Sequence, residues 1–179
     1  MKKLEGRISL SLESLLLVTI AISVLIRILN LGSREFWYDE VLTLLLSTGQ
    51  RSAYDTPEAI PVALSAYTPL LSLPPESGLL AGLQTVSRLL KSLLGGEPHP
   101  PFLFLGQHLW VRLFGNGEAA FRSLGALLSI GAIGGAYGFG NVLLGHRAGL
   151  MLAALLGTNP FYFLHSLNVR MYGPLVLWT

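Results

Sequence analysis

Three short stretches of this chain carry residue types that could do chemistry: Phe36-Trp37-Tyr38-Asp39-Glu40, Glu97-Pro98-His99-Pro100-Pro101 and Val169-Arg170-Met171-Tyr172. The adjacent carboxylates of Asp39 and Glu40 can take a proton from a hydroxyl, and their oxygens can ligate a divalent cation. His99 stands between two prolines in a stiff, extended segment, where it either closes the loop through a hydrogen bond or meets a ligand. Arg170 is an obligate cation whose planar fork suits a phosphate. Each has a structural alternative: acids just before Val41 suit a helix amino terminus, and an arginine at the end of a span can act as a snorkelling anchor.

All three stretches adjoin apolar runs, which places ionisable groups where a bilayer meets water and a lipid-linked substrate would be handled. Composition agrees. The 179 residues are 51% hydrophobic and only 12% charged, the balance of an integral membrane protein. A formal charge of +2 with scattered basic residues argues against a nucleic-acid surface. The absence of cysteine removes disulfides, thiol nucleophiles and thiolate metal sites. His108, His146 and His165 share no ligand spacing.

The elements that must position these groups read as an all-α integral membrane protein: transmembrane helices with a long first outer loop containing interfacial helices. A cytoplasmic amino terminus, residues 1–13, carries Lys2, Lys3 and Arg7 and precedes a first transmembrane helix over 14–31, whose one charged residue, Arg27, is expected to snorkel. An outer loop covers 32–123. Within it Val41–Leu46, Gly78–Leu94 and Phe102–Phe114 read as interfacial helices; the last, started by Pro100-Pro101 and stopped by Gly115-Asn116-Gly117, is about 20 Å long against a hydrocarbon core near 30 Å. Pro57, Pro61, Pro69, Pro74 and Pro75 forbid a long regular element between them. A second transmembrane helix is expected over 124–144, with Gly131/Gly135 and Gly134/Gly138 letting a neighbour approach closely, and Arg122 and Glu118 before it forming an anchor or ion pair. A cytoplasmic turn over 145–147 leads to a third transmembrane helix over 148–164. A second outer loop over 165–173 follows, then residues 174–179, expected to be the start of a truncated helix.

Taken in order, Trp37-Tyr38-Asp39-Glu40, His99-Pro100-Pro101 with Phe102-Leu103-Phe104 and Leu109-Trp110, Phe114-Gly115, Glu118, Arg122-Ser123 and Arg170-Met171-Tyr172 resemble the GT-C membrane glycosyltransferases. The nearer resemblance is to the protein-mannosyltransferase-like branch that includes the aminoarabinose transferases, over the amino-terminal portion of a family member. That resemblance implies a multi-pass enzyme of the cell (plasma) membrane, with its site on the outer side, moving a sugar with inversion from a polyprenyl-phosphate carrier to a hydroxyl of a lipid, glycan or protein. It implies Asp39 as the carboxylate that takes the acceptor proton, Glu40 as its companion, and His99, Asn168, Arg170 and Tyr172 as substrate-binding residues, with Arg170 near the lipid phosphate. A divalent cation on Asp39 and Glu40 is the one cofactor considered. Asn168 stands where the family commonly has an acid, and the stretch from Ser52 to Gly95 reads as an insertion. The 179-residue chain alone is expected to be inactive. Two other classes fit the same residues: a non-catalytic membrane fragment or subunit, and a transporter piece, which calls for ionisable residues in mid-span and broken helices.

Overall fold

The computed structural model describes residues 2–53, 63–95, 99 and 101–179. The expected roles of Pro57, Pro61, Glu97, Pro98 and Pro100 lie outside these residues. The described residues are helical, without strands, in the order α1 (Lys2–Leu29), α2 (Tyr38–Ser47), short 3₁₀ turns at Arg51–Ala53 and Leu64–Leu71, α3 (Leu79–Leu94), α4 (Pro101–Phe114), α5 (Glu118–Leu144), α6 (His146–Thr158), α7 (Pro160–Ser166) and α8 (Tyr172–Trp178). Two helices, α1 through Leu12–Leu29 and α5 through Glu118–Leu144, are long and apolar enough to cross a membrane. Only 11% and 22% of those windows are buried, which sets them apart from the core helix of a water-soluble domain.

The chain divides into two units, residues 1–33 with 125–179 and residues 34–124. In the first, α1 ends where Asn30 folds its amide back to the Ile26 carbonyl at 2.7 Å. Ala132, Ile133, Ala153 and Tyr162 form a core with Ile20, Tyr137, Leu156 and Leu177 packed on it. The third expected span is not one unbroken helix. Pro160 has no amide proton and pushes Asn159 out of the helical region, to φ −58° and ψ 119°. The Asn159 side chain then caps α7, accepting from the Tyr162 amide at 2.9 Å.

Among the described residues the expected small-residue pairs of α5 face open space or a single side chain. A Cβ at Gly134, Gly135 or Gly138 would meet nothing within 4 Å, and one at Gly131 would meet only Leu177. The tight crossing lies further along: a Cβ on Gly140 would fall 2.8 Å from the Gly149 Cα, and one on Gly149 only 2.6 Å from the Tyr137 carbonyl oxygen. Glycine against glycine brings α5 and α6 into backbone contact just after Gly145, at φ +90°, has reversed the chain.

In the second unit α2 is the central element, with Val41, Leu44, Leu45 and Leu46 all buried. Leu46 meets Leu89 of α3 and Phe104 of α4 in a small core. Helix α4 begins and ends as its Pro101 and Gly115 dictate, and it turns polar side chains inward. Gln107 and His108 are buried, while Phe102, Leu109, Leu113 and Phe114 are exposed. The buried polar groups are paired: Gln107 donates to the Phe121 carbonyl at 2.9 Å. His108 Nδ1 lies 2.8 Å from the Ser47 carbonyl, and Arg112 Nε donates to His108 Nε2 at 2.9 Å. A carbonyl only accepts and a guanidinium only donates, so the imidazole is neutral with its proton on Nδ1. Burial and the Arg112 charge together push the His108 pKa below its usual value, against the pull of the Ser47 hydrogen bond and of Glu76. Arg112 continues to Glu76 at 2.7 Å. The Glu76 carboxyl is held below its usual range first by a hydrogen bond from Thr85 and then by Arg112.

Candidate functional site

The start of α2 is built around a buried ion pair. Arg122 Nε donates to Glu40 Oε1 at 2.9 Å and its Nη2 to Glu40 Oε2 at 3.0 Å, with both side chains fully buried. The same guanidinium donates to the carbonyls of Arg34 at 2.7 Å and Glu35 at 3.1 Å, and lies over the Phe36 ring at 4.8 Å. Phe36 in turn meets Phe121 edge-on at 5.6 Å. Glu40 Oε2 also accepts from the Trp37 amide at 3.3 Å, satisfying one donor that a helix start leaves open. The fork of Arg122 therefore grips Glu40, not the expected Glu118.

This clamp separates the two adjacent acids. Glu40 is sequestered, and Asp39, half-buried on the first turn of α2, remains the carboxylate nearer solvent. The expected pairing of Asp39 and Glu40 around a divalent cation does not fit, because both Glu40 oxygens already receive the arginine fork. Among the described residues no three His, Asp or Glu side chains gather as a metal site. Trp37 and Tyr38 are exposed beside Asp39. A cavity of about 130 Å³ opens near Phe36 and Val41, lined also by Glu35, Ser65, Thr68, Leu71 and Glu118. His99 lies half-buried at a bend just before α4.

Asn168, Arg170 and Tyr172 belong to the other unit, and the structure brings these three together in one compact turn. The Asn168 amide donates to the His165 carbonyl at 3.3 Å, and the Arg170 amide to the Asn168 carbonyl at 2.8 Å. The turn rests on α5 at Gly125, where a Cβ would come within 3.2 Å of the Asn168 carbonyl oxygen. Asn168 is buried, and Arg170 and Tyr172 are half-buried. The Tyr172 ring meets His165 edge-on at 4.6 Å.

Sequence reasoning missed two residues. Arg122 was read as an anchor or as the ion-pair partner of nearby Glu118, because its actual partner lies 82 positions away. Arg27 was expected to snorkel, but it is fully buried in its unit. An ionisable residue inside a span is a functional signal by default, and that was the available clue.

Residues 98–179 match the dolichyl-phosphate-mannose-protein mannosyltransferase family. The matched stretch includes His99, Arg122, Asn168, Arg170 and Tyr172. Asp39 and Glu40 lie before it. No curated protein and no solved structure gives a significant match to the chain.

Proposed function

We propose that this chain belongs to an inverting glycosyltransferase that moves a sugar from a polyprenyl-phosphate carrier to an acceptor hydroxyl on the non-cytoplasmic face of the cell membrane. The observation that carries the reading is the Glu40–Arg122 clamp, which fixes the start of α2 and divides two adjacent acids into a structural one and a half-exposed one. Asp39 then takes the acceptor proton as the acceptor oxygen attacks the anomeric carbon from the face opposite the phosphate. The bond from that carbon to the phosphate oxygen breaks in the same displacement, so the configuration inverts. Arg170 grips the departing phosphate, Asn168 holds the turn that presents it, and His99 and Tyr172 contact the sugar or acceptor. No metal is assigned to the proton step, since Glu40 is already engaged.

In this reading residues 34–124 sit at the outer membrane surface. Helix α3 supports the assignment: Leu79, Leu80, Leu83, Leu90 and Leu94 are exposed along one side, and Arg88 and Lys91 edge that stripe. With the exposed face of α4, these side chains suit the boundary between headgroups and acyl chains.

The transporter reading gains one observation, because a buried Arg27 beside the break between α6 and α7 is the kind of feature it calls for. Arg27 is two residues from the outer end of α1, away from mid-span, which favours the enzyme. Binding of polyprenyl phosphate by the chain in nanodiscs tests the donor site. Saturable binding that Arg170→Ala abolishes and Asp39→Asn leaves intact is expected. No saturable binding would overturn the donor assignment.

A further inference from the structure

Arg27 is fully buried inside its unit, although it lies on a helix whose other large side chains mostly face outward. Its guanidinium makes three hydrogen bonds: Nε to Ser166 Oγ at 3.1 Å, and Nη1 to the carbonyls of Ser23 at 3.0 Å and Gly157 at 2.9 Å. It also lies over the Phe163 ring at 4.9 Å and the Tyr162 ring at 5.7 Å. Gly157 is the penultimate residue of α6, so its carbonyl is one of those that a helix end leaves without an intrahelical partner. A cation placed there also answers the negative end of the α6 dipole, which explains how an arginine is tolerated in an apolar unit. Gly157 sits close against α1, where a Cβ would lie 2.8 Å from Ser23 Oγ and displace that hydroxyl.

One guanidinium thus grips the end of α6 and the last residue of α7. Ser166 leads directly into the turn in which the Arg170 amide closes on the Asn168 carbonyl. We infer that Arg27 is a positioning residue for the Asn168–Arg170 turn: it holds Ser166 from α1 and so sets where Arg170 stands. The positional claim depends on the geometry alone; its consequence for substrate rests on the reading of Arg170 as the phosphate grip.

Three variants separate this role from a plain staple between α1 and α6. Ser166→Ala cuts the limb toward the turn together with the Ser166 hydroxyl's own bond to the Phe163 carbonyl at 2.7 Å, whereas Arg27→Met cuts both limbs of the guanidinium and Arg27→Lys cuts the Ser166 limb with the hydroxyl left in place. The measurement is hydrogen exchange of the full chain in nanodiscs, read by peptide over 166–173 and 140–157, together with equilibrium binding of polyprenyl phosphate. In Ser166→Ala the amides of 167–170 should exchange about tenfold faster, the loss expected for one charge-assisted hydrogen bond, with 140–157 unchanged. The dissociation constant for polyprenyl phosphate should rise by about the same factor. Arg27→Lys should retain the Gly157 contact but not Ser166, since one ammonium cannot reproduce the fork, and should match Ser166→Ala. Should Arg27→Met fail to insert, Ser166→Ala and Arg27→Lys decide together. Wild-type exchange over 167–170 in Ser166→Ala overturns the inference, as does faster exchange spread evenly over both segments. Faster exchange at 167–170 in a chain that binds no polyprenyl phosphate upholds the positioning role and removes the donor reading.

Discussion

Glu40 and Arg122, 82 residues apart, close a fully buried two-pronged ion pair at 2.9 and 3.0 Å. Because the same arginine also collects the carbonyls of Arg34 and Glu35, it ties the approach to α2, the first turn of α2 and the start of α5 at one point. Removing either partner would leave the other charge buried and uncompensated.

Glu40→Gln or Arg122→Met should therefore each destabilise the protein by about 3–5 kcal/mol. Glu40→Leu combined with Arg122→Met should recover much of that loss, since an apolar pair of similar volume replaces two buried charges. Asp39→Asn, which removes a charge near a helix amino terminus, should cost about 1 kcal/mol or less. Denaturant unfolding in micelles reads all four, and a double variant no better than the worse single one would show that the pair is not the unit of stability.

The His108 linkage predicts acid sensitivity. Its pKa is lowered in the fold, so the unfolded chain binds more protons near and below the ordinary value of 6.5. The contribution of the neutral imidazole is complete above that value and is lost as pH falls below it. Protonation at Nε2 would also turn a hydrogen bond from Arg112 into a repulsion. Glu76, likewise lowered, adds a loss of the same sign below about 4.5. Unfolding midpoints measured from pH 8 to pH 5 should fall for the wild type and change much less for His108→Asn. Equal pH profiles in the two would contradict this account.

Glycines of α5 and α6 should differ in their tolerance of a side chain. Gly149→Val drives carbon into the Tyr137 carbonyl and should cost at least the roughly 1–3 kcal/mol of overpacking, whereas Gly134→Val meets open space within the chain and should change stability by less than about 0.5 kcal/mol. Thermal unfolding of both variants in detergent makes the comparison. Equal losses would place the close approach elsewhere.

Topology is open to labelling at exposed positions. Cysteines introduced singly at Ser52 and Asn116 should react with an impermeant thiol reagent from outside, and one at His146 only after permeabilisation. Ser166, buried and bonded to Arg27, is unsuitable as a reporter. Labelling of 146 from outside would invert the orientation.

Much of the local structure was legible in the sequence because local residues decide it. Pro101 and Gly115 bound α4, the apolar runs gave α1 and α5, and Gly145 marked the reversal before α6. The break at Asn159-Pro160 was legible too, but the continuous apolar run masked it. Pairings made by folding were not legible. Glu40 finds Arg122, Arg27 finds Gly157 and Ser166, and Gly140 finds Gly149 only after the helices have packed, and no periodicity announces such partners. For the same reason the role of Glu40, read as the companion of Asp39, gave no sign that a buried arginine holds it.

The most direct measurement of the central claim is the initial rate of sugar transfer from a polyprenyl-phosphate-linked donor by the active enzyme, comparing wild type with Asp39→Asn and determining the anomeric configuration of the product. The account predicts an inverted product, a turnover lower by a factor of about 10² to 10⁴ in Asp39→Asn, and donor binding nearly unchanged. Wild-type turnover in Asp39→Asn, or a product of retained configuration, would contradict it.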